Sequence, residues 1–238
     1  MTVLRTNDDT APGTWFPDAP APAWAVAGIA ALLVAGGSDV LRAALDEARF
    51  TEAGALELAS AAGYLLALAV FAARALHPRH CWPVPVLLLA GAARELDLDK
   101  RLTDPGLLQA RLYTGDAPLA VKLAGLAVVV AILAAAFVLV VRDGPGWVRA
   151  LSAGARRAWW AVAALALAAA SKSLDGVGRK LRPLGIEVAE VLDTAAALVE
   201  EVLELGIPIA IVLAMTARPA ARARGGEDRG GGARADAR

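Results

Sequence analysis

The chain has 238 residues, 58% of them hydrophobic and 20% charged, and its formal net charge is zero. Soluble domains carry about 45–50% apolar residues, so the excess points to a membrane protein, and the balanced charge excludes the basic footprint of a nucleic-acid binder. Its one cysteine, Cys81, excludes an intrachain disulfide framework.

Residues 1–22 are polar and proline-rich. They lack the basic-then-apolar order of a cleavable signal peptide, so the first apolar block is expected to act as an uncleaved anchor. Residues 23–216 are expected to form an all-α, polytopic transmembrane helix bundle. A helix needs about 20 residues to cross roughly 30 Å of hydrocarbon, and on that measure the apolar blocks suggest about six spans. In chain order the blocks are Ala23–Gly37, Leu56–Leu76, Cys81–Ala93, Pro118–Val141, Ala158–Ser171 and Val188–Met215. The fourth is the clearest; Lys122 near its start can snorkel to the interface. The third and fifth are short. The third contains Pro83 and Pro85, and the fifth is flanked by Arg156, Arg157 and Lys172. Each either crosses with snorkelling flanks or is re-entrant. Residues 217–238 are an Arg-, Gly- and Ala-rich tail with the composition of a disordered segment.

The arginines after Met215 favour a cytoplasmic C-terminus. The Ala/Arg-rich composition fits a multi-pass protein of a bacterial inner (plasma) membrane. Acidic residues gather on the opposite, non-cytoplasmic side.

The sixth block carries the main anomaly. On a helical wheel Glu190, Asp193, Glu200, Glu201 and Glu204 share one face. A carboxylate in hydrocarbon is costly, so such a face turns toward the bundle interior or a wet cavity. Counting back from Met215 places Glu200 and Glu204 within the membrane and leaves Glu190 and Asp193 nearer its surface. The third block ends in Glu95, Asp97, Asp99 and Lys100, with Arg94 and Lys100 as adjacent counter-charges. On a continuous helix Glu95 and Asp99 share a face. The fifth block ends in Lys172 and Asp175, one turn apart, before Gly176. With every block crossing, connectivity brings these ends to one membrane face. The candidate site is therefore Glu95, Asp97, Asp99, Lys100, Lys172, Asp175, Glu200 and Glu204.

Such a cluster suits an ion-pair network, a proton site or a hard-cation site, and a divalent cation there is one candidate cofactor. Other chemistry is weaker. His77, His80 and Cys81 lack the second ligand pair that a zinc site needs. Asp175-Gly176 and Asp193 match part of the CDP-alcohol phosphotransferase signature, but Lys172, Ala189 and Ala197 stand where it requires Asp, Gly and Asp. With two histidines in the chain, a ceramidase-like zinc site is excluded.

The combination of Arg94-Glu95-x-Asp97-x-Asp99-Lys100, Lys172-x-x-Asp175 and Glu200-Glu201-x-x-Glu204 resembles a set of bacterial polytopic inner-membrane proteins of unassigned activity. The resemblance implies the fold and location but no reaction. The leading expectation is a carboxylate-rich polar pocket near the non-cytoplasmic face that handles cations or protons or carries a small solute. Its alternatives are a membrane-embedded, metal-dependent enzyme on lipid head groups and a non-catalytic assembly subunit. The expected partners are membrane lipid, a second copy of the chain or another membrane protein.

Overall fold

A computed structural model describes residues 16, 19–45, 54–76, 80–185 and 187–217. For Asp39 and residues 41–45 it describes the backbone alone. The tail beyond Ala217, most of the segment before Ala19 and His77 lie outside the described residues. Among those described the chain is all-helical, without a strand.

The helices follow the apolar blocks. In order they are α1 (Ala23–Leu45), α2 (Ala55–Arg74), α3 (Pro83–Glu95), α4 (Leu98–Leu102), α5 (Ala110–Thr114) and α6 (Leu119–Val138). Then come α7 (Gly144–Ser152), α8 (Arg156–Leu174), α9 (Val177–Leu181) and α10 (Glu190–Thr216). A π-helical turn, Leu139–Asp143, joins α6 to α7.

Two helical stretches are long and apolar enough to cross a membrane, Ala55–Arg74 and Leu119–Ser152. A third qualifies if α8 and the segment Val177–Leu184, bent by 62° at Asp175 and Gly176, count as one broken span. The described structure thus supports two or three spans on length and composition. The shortfall from six has physical causes. Pro83 and Pro85 stand in the first turn of α3, where a missing N–H costs nothing. They therefore start the helix rather than interrupt it, and its 13 residues cover only about 20 Å. Though α10 has 27 residues, its first half is acidic.

The bundle is built around α10, which packs chiefly on α8 and α2 and also touches α1. From Glu204 to Thr216 it presents buried residues, including Leu205, Ile207, Pro208, Ala210 and Val212. Of these, Ile207, Ala210 and Val212 join Tyr64, Val70 and Phe71 of α2, Leu88 of α3 and Ala164 of α8 in the main core, while Leu205 packs with Leu32, Leu56 and Ala59 in a second cluster. By contrast α6 packs on α3 along one edge and leaves most of its apolar surface exposed.

At the end of the bundle where α2 finishes, Phe16 is buried and meets Phe71 edge-on, ring centroids 6.4 Å apart. Arg74 donates to the carbonyls of Ala19 and Pro20, each at 2.9 Å. Arg157, 5% exposed, donates to the carbonyls of Phe16 at 3.1 Å and Ala217 at 2.8 Å. It thereby ties the N-terminal segment to the end of α10, where a cation also complements the helix dipole. Arg157→Lys keeps the charge but lacks the forked donors. It is expected to cost about 1 kcal/mol, read as a lower thermal midpoint in detergent.

Candidate functional site

The polar centre lies at the other end. Glu95 is the last residue of α3 and is buried. Beside it Arg94 donates to Glu95 Oε1 at 3.2 Å and, through its other Nη, to Glu204 Oε1 of α10. The same Glu204 oxygen accepts from Ser171 Oγ of α8 at 2.9 Å. Three helices are thus held by one carboxylate and one guanidinium. Both carboxyl side chains are nearly closed off, at 3% and 9% exposure, while Arg94 reaches them from a half-exposed position.

Around this pair lie further groups. Tyr64 of α2 is buried, its ring against Gly91 of α3, in the field of Glu95, Arg94 and Glu204. Glu57, in the first turn of α2, and Glu201 of α10 act on one another electrostatically. Glu200 is half-buried, in the combined field of Asp175, Glu204, Lys172 and Arg94.

The other predicted residues form separate pairs. After Glu95 the helix breaks. Asp97 takes the left-handed conformation, φ 48°, which a short polar side chain tolerates better than most. Consequently α4 starts afresh, and the shared face expected for Glu95 and Asp99 does not exist. Asp99 instead lies against Gly106, where an added Cβ would stand 2.7 Å from its carboxylate. Asp97 pairs with Lys100 at 2.7 Å on an exposed surface. That hydrogen bond holds the Lys100 pKa above its usual value.

Asp175 accepts from Lys172 at 2.6 Å just past the end of α8, with Arg179 at 3.7 Å. The Lys172 hydrogen bond holds the Asp175 carboxyl below its ordinary pKa. Its folded pKa is therefore lower than its unfolded one. The pair stabilises the fold above the ordinary carboxylate range, and that contribution is lost as pH falls through the lowered value. Both side chains meet solvent, at 61% and 30% exposure, so the effect is below about 1 kcal/mol. Lys172→Ala is expected to flatten the acid limb of a stability-against-pH curve by that amount.

Arg94, Ser171, Tyr64, Glu57 and Glu201 were not among the candidates drawn from sequence. Glu57 had a signal, because the connectivity that gathers the ends of the third and fifth blocks also gathers the start of the second. Ser171 had none, being a small polar residue in an apolar run. Among the described residues no group of three or more His, Cys, Asp or Glu side chains converges as a metal cage. Cys81 is fully buried and His80 exposed, which separates them as ligands.

No family model, no curated protein and no solved structure matches the chain.

Proposed function

We propose that this is a multi-pass protein of a bacterial inner membrane whose polar centre handles protons or cations. In this reading α1, α3 and α10 cross together with α2, α6 and α8, giving six spans and a cytoplasmic C-terminus. Crossing by α10 is favoured by its place in the middle of the bundle, and crossing by α3 by its contacts with α2 and α6. The polar centre then opens near the non-cytoplasmic face.

One observation carries the proposal. Glu204 sits buried in the middle of the central helix, bonded to groups from two other helices. Intramembrane carboxylates of this kind are expensive and mark ion or proton paths. The charge balance adds support. Arg94 touches both Glu95 and Glu204, so two nearly closed-off carboxylates share one guanidinium. A second buried carboxylate on a single bonded cation favours a proton or a bound cation.

The test is flux. The protein is reconstituted in vesicles under imposed proton and alkali-cation gradients, and flux is followed with a pH-sensitive dye and a potassium- or sodium-sensitive dye. Glu204→Gln and Glu95→Gln are expected to reduce flux by at least about tenfold, roughly 1.4 kcal/mol or more at the barrier, while the proteins still fold. Unchanged flux, or unfolding of both variants, would overturn the proposal in favour of a pure helix-register role, which the double pairing of Arg94 also suits.

A further inference from the structure

The end of the bundle where α2 finishes carries the indoles. Five of the six tryptophans are among the described residues, and all five stand there. Trp24 is the second residue of α1, Trp82 immediately precedes α3, Trp147 lies in α7, and Trp159 and Trp160 lie near the start of α8. Bonds and packing hold these helix ends together. Arg74, the last residue of α2, binds the carbonyls of Ala19 and Pro20 just before α1. Arg157, at the start of α8, binds those of Phe16 and Ala217. Cys81, next to Trp82, is buried in one cluster with Phe16, Phe71 and Met215, and Leu139 and Trp147 pack against that cluster.

Four of the rings are open to the surroundings. Trp24 is 45% exposed, Trp82 39%, Trp159 58% and Trp160 39%. An indole has a broad apolar body and one N–H donor, so neither water nor hydrocarbon suits all of it, whereas the boundary between them does. Among the described residues the opposite end has no tryptophan.

Charge at this end is one-sided. Among the described residues its arginines are Arg74, Arg142, Arg149, Arg156 and Arg157, and its acid is Asp143. Asp143 is buried and accepts from Arg142 at 3.0 and 2.8 Å. Arg74 and Arg157 are turned to backbone carbonyls. That leaves Arg149 and Arg156, both exposed and both without an acidic partner among the described residues. On α8, Arg156 has Trp159 and Trp160 three and four residues ahead of it, on the same side of the helix.

Three helices measure the distance from this end to the polar centre. Ser171 follows Trp160 on α8 by a rise of about 17 Å, Glu95 follows Trp82 on α3 by about 20 Å, and Glu204 precedes Ala217 on α10 by about 20 Å. A hydrocarbon core is about 30 Å thick. A bilayer boundary at the indoles therefore puts Glu204 and its partners inside the core on all three counts.

We infer that this end is seated in the headgroup layer of a bilayer, with Trp24, Trp82, Trp159 and Trp160 at the boundary and Arg149 and Arg156 selecting anionic phospholipid. Anionic headgroups are preferred to zwitterionic ones because these two cations meet no acid of the protein, and one such cation near a membrane surface gives about a fivefold preference. The inference rests on the membrane reading above and on no part of the flux argument.

The experiment is quenching of tryptophan fluorescence. The full chain is reconstituted in vesicles of equal parts phosphatidylglycerol and phosphatidylcholine. Bromine is placed on the acyl chains of one lipid at a time, either near the headgroup or near the chain end. Bromine near the headgroup is expected to quench more strongly than bromine near the chain end. Brominated phosphatidylglycerol is expected to quench at least about twofold more than brominated phosphatidylcholine. The double variant Arg149→Gln with Arg156→Gln is expected to bring that ratio to about one while shallow quenching persists. Both side chains are exposed and outside any ion pair among the described residues, so the fold should hold. Three results would overturn the inference: stronger quenching from the chain end, no quenching by either lipid (as a second copy or a partner protein over the indoles would give), or a lipid ratio that is near one in the wild type or unchanged in the variant. An alkaline wash of the vesicles separates the possible failures. If the chain stays with the lipid but its indoles are unquenched, this inference fails and the membrane reading stands. If the chain washes off, both fail. Absence of flux with the expected quenching leaves the seat in place and removes the handling role.

Discussion

Arg94→Ala is expected to lower the unfolding free energy by about 3 kcal/mol, the low end for breaking a buried ion pair from one side. The reason lies less in the pair than in what remains. Glu95 and Glu204 are nearly closed off from solvent and share this guanidinium. Removing it leaves two carboxylates that α3 and α10 hold together. The low end of the range applies because Arg94 is itself 44% exposed, so water can partly replace it. The control is the double variant Arg94→Ala with Glu204→Gln. It removes one of the stranded charges and keeps the acceptor for Ser171, so it should recover more than half of the loss. The measurement is thermal or detergent-induced unfolding of the purified protein. A neutral Arg94→Ala would show that the pair contributes nothing to holding α3 against α10.

The second large effect is expected at a glycine. A Cβ at Gly63 would stand 2.8 Å from Pro208 Cγ and 3.0 Å from Pro208 Cβ, with Leu32 at 3.4 Å. Pro208 is fully buried, and its ring is fixed to the backbone of the central helix. No side-chain rotation relieves the clash, so α2 and α10 must separate. Gly63→Ala is expected to destabilise by about 1–3 kcal/mol, the usual cost of overpacking, and Gly63→Val by more. Gly37→Ala is the matched control. Nothing lies within 4 Å of a Cβ there, and replacing a helical glycine by alanine gains about 0.5–1 kcal/mol. Opposite signs at two glycines, read as midpoints in the same unfolding assay, would locate the close approach between α2 and α10. Equal effects would deny it.

How much of this was legible in the sequence depends on range. The extents of α2, α6 and α10 follow from hydropathy and lie within a few residues of the blocks that announce them. Connectivity gathers the ends of α3 and α8 with the start of α10 only if every block crosses; what the structure shows is Glu204, in the middle of α10, bonded to Arg94 and Ser171. What failed was helical phase carried past Glu95. Nothing in Leu96-Asp97-Leu98-Asp99 is a strong stop, yet the left-handed Asp97 ends α3 and sends Asp99 toward Gly106. The prolines misled in the opposite way. Pro83 and Pro85 read as interruptions but serve as a helix start, while Pro208, unremarked in an apolar run, sits inside the central helix. Side-chain partners such as Tyr64 and Glu57 depend on which helices touch, and a single sequence does not encode that pairing in any local pattern.

The position of α10 sets an order of assembly. It follows every other described helix in the chain, yet it fills the space between α2 and α8. While the ribosome is still making the earlier helices, their inward faces have no protein partner. Ser171 then waits for Glu204, and Glu95 and Arg94 have only each other. The nascent bundle stays incomplete until the acid-bearing helix arrives to close it. Arg94 thus serves as the receptor for the last piece, and a chain cut short before Glu204 would leave Arg94 without its partner on α10.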